Sequence, residues 1–187
     1  MPNLFSSFNL GRRGITGTSG SIERDFALIK ANLNREISNI KDRTNKGLLI
    51  AGADIRRDME DTPPLIPIDY GNLRASFFMV TKKTARSTTK SMEVRHAKFK
   101  KAETTAKLAA LQVGHQEVLA QAEEAMAAHD IGVMLGFSAF YAAPVHEMIG
   151  PINWKRSGSG AKFFQAAVYR NWDKTLATVK LNAQVRP

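Results

Sequence analysis

The chain has 187 residues, 43% of them hydrophobic, no cysteine and a formal net charge of +10. This length suits one domain with a genuine core and the composition argues against wholesale disorder, while the lack of cysteine excludes disulfides, thiolate metal sites and cysteine nucleophiles. No apolar run approaches the roughly 18 residues of a membrane span, and the N-terminus lacks the apolar stretch of a cleaved secretory signal, so no membrane partner is expected.

The charge is unevenly placed. Residues 82–101 carry eight cations against Glu93, residues 102–149 carry Lys107 against six acids, and residues 150–187 carry seven cations against Asp173. Two basic blocks flanking an acidic one suit contact with nucleic acid or with an acidic neighbour; a solvated surface with chance clustering is the plainer alternative.

Residues 1–20 are polar and basic, with Gly11, Gly14, Gly17 and Gly20, and cannot bury enough surface to hold a fold alone. They predict a flexible N-terminal arm whose anchors on a neighbour would be Phe5, Phe8, Arg12 and Arg13. Residues 21–187 are expected to form a single α+β domain with a helical insertion at about 82–130.

From Ser21 the pattern is helical, since Ile22, Phe26, Ile29, Leu33, Ile37 and Ile40 recur at three and four, and Leu48, Ile55 and Met59 extend the stripe. Pro63-Pro64 end it, and Gly47 and Gly52, each costing about 1 kcal/mol in a helix interior, mark a place for a break or kink. Unbroken, such a helix exceeds what one small sheet can cover, so part of it is expected to pack on another molecule. Pro67, Asp69 and Gly71 then supply an ordered turn. Leu73, Ala75, Phe77 and Met79 alternate with Arg74, Ser76, Phe78 and Val80, which predicts a strand, with Asp69 and Arg74 as a local ion pair.

Residues 82–90 read as a loop or frayed strand ends. Residues 91–128 are rich in helix formers, with a weak heptad seam through Val94, Ala97, Leu108, Leu111, Val118, Ala122 and Ala125 and a division at Gly114. The cations Arg95, Lys98, Lys100 and Lys101 lie at the N-terminal end, against the helix dipole, and predict an arm that meets a partner. Ile131–Phe137 reads as a buried strand antiparallel to 73–80. A turn with a short helical segment follows at 141–147, then a glycine-rich loop holding Trp154, Lys155 and Arg156, and a last helix over 161–183 with Phe164, Ala167, Val168, Trp172, Leu176 and Val179 as its apolar face.

Three separated signatures stand in order: Ile66-Pro-Ile-Asp-Tyr-Gly-Asn-Leu-Arg-Ala-Ser76, Tyr141-Ala-Ala-Pro-Val-His-Glu147 and Gly160-Ala-Lys-Phe-Phe-Gln-Ala-Ala167. With the preceding amphipathic helix, this order resembles the tailed-bacteriophage neck and tail-completion (head–tail joining) family, often labelled minor capsid or minor tail proteins. In that family the first signature typically reads Pro-Val-Asp-Thr-Gly-x-Leu-Arg-x-Ser, where this chain has Tyr70 for the threonine. Tyr141, His146 and Glu147 match the second signature, and Lys162 and Phe163 the third. The resemblance covers about 22–81 and 131–180 and excludes the insertion, which is longer than the hairpin turn usual there.

The resemblance implies an α+β fold: a long N-terminal amphipathic helix and a C-terminal helix packed on a small antiparallel sheet, here with an inserted helical arm. It implies no enzymatic activity and no cofactor. The expected partners are other copies in a ring (a hexamer, with a dodecamer as the alternative), the portal or connector protein, tail tube or tail terminator proteins, and packaged double-stranded DNA in the lumen. The expected place is the head–tail junction of a virion made in a bacterial cytoplasm. A basic DNA-binding protein acting through 82–101 and 155–170, or an assembly chaperone absent from the particle, are the alternatives; Arg95, Lys98, Lys100, Lys101, Lys155 and Arg156 are the candidate basic residues facing an interface or DNA.

Other chemistry fits poorly. His146-Glu147 lacks the second histidine of a zinc helix, because Gly150 stands at that position. Ser159 lies between glycines without the strand and helix of a hydrolase elbow.

Overall fold

The fold comes from a computed structural model, which describes residues 19–68, 71–87, 101–150 and 152–184. The candidate anchors Phe5, Phe8, Arg12 and Arg13, the turn residue Asp69 and the basic residues Arg95, Lys98 and Lys100 lie outside the described residues.

The opening apolar stripe forms one uninterrupted helix, α1 (Ser19–Asp61), of 43 residues, about 65 Å long. The break expected at Gly47 and Gly52 does not occur. Both glycines sit where another element crosses the helix at close range. A Cβ on Gly47 would lie 3.1 Å from the backbone Cα of Val179, and one on Gly52 would lie 2.9 Å from a Leu135 methyl. Tertiary packing thus offsets the low helix propensity of glycine. The Pro63–Pro64 peptide bond that follows is cis.

Gly71 adopts φ +84° and starts the single turn α2 (Asn72–Ala75). The strand expected from Leu73 therefore begins four residues later, as β1 (Phe77–Thr81). Ser76 helps to close that turn, donating its hydroxyl to the Leu73 carbonyl at 2.8 Å. A tight hairpin at Lys82-Lys83 returns β2 (Thr84–Ser87) against β1, so of the two readings of this segment, loop or strand ends, the second holds at its start. The insertion then forms α3 (Lys101–Ala127), which runs through Gly114 without dividing. β3 (Met134–Phe137) pairs antiparallel with β1 in the register Phe77↔Phe137 to Val80↔Met134, as the apolar run at 131–137 indicated. The sheet order is β2-β1-β3.

After β3 come α4 (Ala142–Glu147), α5 (Phe163–Arg170) and α6 (Trp172–Ala183). The single closing helix expected from the sequence is split at Asn171, whose buried side-chain amide donates to the Ala167 carbonyl at 2.9 Å. That local bond competes with the helical ladder. The split also changes the apolar face. Phe163 and Ala167 point into the core, whereas Trp172 and Leu176 are exposed.

Central strand β1 is buried on both faces. Phe77 belongs to a cluster with Ile55, Met59, Ile66, Leu73, Phe163 and Ala167, between the sheet and α1 and α5. Phe78 and Val80 belong to a second cluster with Ala122 and Met126 of α3, flanked by Val118, Leu119 and Met134. The C-terminal half of the inserted arm is therefore part of the core. Its buried positions are His115, Ala122 and Met126, while Ala125, expected in the seam, faces solvent. Contact with a sheet follows the 3.6-residue helical period and not the 3.5-residue period of a helix pair.

Candidate assembly junction

The three signatures meet in one place. Ile66 and Leu73 from the first, with Phe163 and Ala167 from the third, form the larger core cluster, and Tyr141, Ala142 and Val145 from the second pack against it. Phe137 sits at the centre, with edge-to-face contacts to Phe77, Phe163 and Phe164 at 5.3, 5.7 and 6.0 Å between ring centres. Such pairs contribute about 0.5–1.5 kcal/mol each beyond area burial. Pro67 is buried in the same region.

Hydrogen bonds fix the junction further. Leu65 N–H donates to the Gly158 carbonyl at 2.8 Å and the Leu65 carbonyl accepts from Gly160 N–H at 3.3 Å, so the glycine-rich loop is strapped to the entry of the first signature. Lys162, at φ +59°, heads α5 and donates its backbone N–H to the His146 carbonyl at 2.7 Å. The Glu147 carboxylate bridges His146 Nδ1 at 2.8 Å and the Lys162 ammonium. The Lys162 hydrogen bond, and after it the one from His146, hold the Glu147 carboxyl below the usual range. The histidine ring also meets the Phe163 edge at 5.2 Å. This pair is a clasp between the second and third signatures. Among the described residues, no group of three His, Asp or Glu side chains is placed to hold a metal ion.

Glu60 is the second tie. Its carboxylate receives Arg56 at 2.8 Å and lies 3.6 Å from Arg74, while its backbone carbonyl accepts from Arg156 at 2.6 Å. Arg74 thus has an acid on α1 beside it, and the Asp69 partner expected from the sequence lies outside the described residues. Arg156, offered above as a basic surface group, is half-buried and caps the end of α1. Lys155 is exposed and Lys101 is the first residue of α3.

The charge blocks are also partly matched within the chain. Lys82 and Lys41 both hold Asp130, at 2.8 and 2.6 Å, and Lys83 holds Asp42 at 2.6 Å. Sequence reasoning missed these pairs, because partners 41 to 89 residues apart leave no local signal.

It also missed His115. This side chain is 1% exposed, shares a hydrogen bond with the Ser138 hydroxyl through Nδ1 and lies against the Phe78 ring. Nearby, a cavity of about 290 Å³ is lined by Asn72, Ser76, Gly114, Val118, Ser138 and Tyr141.

The most exposed apolar surface lies elsewhere. Every residue of α1 from 22 to 35 is exposed, including Ile22, Phe26, Leu28, Ile29 and Leu33, with Phe26 at 67%. Burial of the helix begins at Thr44. About half of α1 therefore projects from the body with its apolar stripe uncovered by the described residues. No described helix is long and apolar enough to cross a membrane.

No family model, curated protein or solved structure matches this chain.

Proposed function

We propose that this chain is a structural, non-enzymatic subunit that assembles with copies of itself into a closed ring at the head–tail junction of a tailed bacteriophage. In this reading the ring joins a portal or connector to tail tube or tail terminator proteins, and packaged DNA occupies its lumen. The projecting half of α1 carries the proposal. A helix with Ile22, Phe26, Ile29 and Leu33 exposed is stable in water at the cost of bare apolar surface, which assembly removes. The resemblance of the three signatures to the neck and tail-completion family supplies the location. Their packing into one cluster with the end of α1 is consistent with a body built to brace that helix.

The salt-sensitive DNA binder is the weaker reading, since Lys82, Lys83 and Arg156 are engaged by groups of this chain. Electron microscopy and light scattering of the purified chain, at low and high salt, test the proposal. Rings that persist at both salt levels support it. A monomer with DNA affinity that collapses as salt rises favours the binder.

A further inference from the structure

We infer that the projecting half of α1 is a parallel self-association seam, lying in register against α1 of a second copy. The inference deepens the assembly reading and rests on it in requiring more than one copy.

The spacing of the stripe is that of a two-helix seam. Ile22, Phe26, Ile29 and Leu33 follow one another at four, three and four residues, and Ile40 returns to the same line seven residues later. This is the a/d alternation of a coiled coil, with Phe26, Leu33 and Ile40 at a and Ile22 and Ile29 at d, interrupted by Glu36 at the next d position. The fold uses the C-terminal half of α1 differently, burying Thr44, Ala51, Ile55 and Met59 in its own body. The continuous apolar seam thus ends at Leu33, before burial begins at Thr44.

Charge selects the direction. Asp25 occupies the g position before Phe26, and Lys30 occupies the e position after Ile29. In a parallel pair, g of one helix faces the following e of the other, which sets Asp25 against Lys30 of the second copy. An antiparallel pair centred between Ile29 and Leu33 instead sets Lys30 beside Lys30 of the second copy. The segment before the helix is a poorer occupant of the stripe. Its glycines at 11, 14 and 17 interrupt any matching apolar spacing.

The test uses the full chain, which has no cysteine, so one introduced thiol reports alone. Under mild oxidation, Ile22→Cys should give a disulfide-linked dimer in high yield. In the centred antiparallel pair the two thiols lie about 27 Å apart and no such dimer forms. Leu33→Asp should weaken association at least tenfold by light scattering, with an unchanged thermal melt of the body. Asp25→Lys and Lys30→Asp should each weaken it and the double swap should restore it. An oligomer that survives Leu33→Asp, or that gives no Ile22→Cys cross-link, overturns the seam and leaves the ring reading standing. A wild-type chain that remains monomeric overturns both.

Discussion

Arg170 grips Asp58 with two nitrogens on one oxygen, Nε at 2.9 Å and Nη2 at 2.6 Å from Oδ2. The same guanidinium donates to the carbonyls of Pro63 and Thr62 at 3.0 and 3.1 Å. One side chain from α5 thus holds the end of α1 and the proline turn that follows it. Charge-assisted hydrogen bonds contribute about 1.5–3 kcal/mol, and Lys cannot reproduce the planar fork. Arg170→Ala should cost about 2–3 kcal/mol, and Arg170→Lys should recover only part of that, measured by urea denaturation. Full recovery with Lys would mean that charge alone matters there.

Gly71 separates two reasons for keeping a glycine. Its φ is +84°, and a Cβ there would meet nothing within 4 Å. The constraint is therefore backbone conformation and not crowding. Left-handed geometry costs an ordinary L-residue about 1–2 kcal/mol. Gly71→Val should lower stability by at least that amount, whereas Gly71→Asn should cost less because Asn tolerates this region. Equal losses in the two variants, measured by thermal melting, would overturn the conformational account.

His115 should give the fold a pH dependence. Burial holds its pKa below the ordinary 6.5. The unfolded chain therefore takes up a proton at a pH where the folded chain does not. Stability is full above about 6.5 and falls as pH drops through that value towards the lowered folded pKa. Wild type should lose melting temperature between pH 7 and 5.5 more steeply than His115→Gln, which cannot titrate. Parallel slopes would assign the dependence to other groups.

The insertion should not be removable. Met126 is 5% exposed and covers the face of β1 that carries Phe78 and Val80. Met126→Ala should cost about 2–5 kcal/mol, a fall in melting temperature of about 4–20 °C for a chain of this length. Replacing 84–128 by a short Gly-Ser bridge should give a chain that aggregates, because it bares one side of the central strand. A cooperative, monomeric product would show that α3 is an accessory.

The elements with regular spacing were legible in the sequence. The α1 stripe, the apolar run ending at Phe137 and the turn at Gly71 each carry a local signal, and each appears where that signal lies. Events decided by distant partners were not legible. Gly47 and Gly52 looked like weak points of α1 until the crossing of α6 and Leu135 gave them a use. Asn171 carries no mark of a break, and nothing near His115 in the sequence marks the Ser138 hydroxyl that meets it. At the junction, the motifs gave the participants Lys162, Glu147 and Phe163, while Arg170, Asp58 and Glu60 came only with the fold.

The distribution of α1's partners along the chain sets a timetable for synthesis. Ile55 and Met59 leave the ribosome early, yet Phe163 and Ala167, which cover them, are translated near the end. At about 5–20 residues per second, the wait between Met59 and Phe163 is about 5–20 s. Throughout that interval the body half of the helix has only Ile66, Leu73 and Phe77 of its cluster to cover it, and the other half has none of it. The nascent chain is therefore most prone to wrong pairing before its last quarter exists, and a cell making many copies at once must shield it for that long.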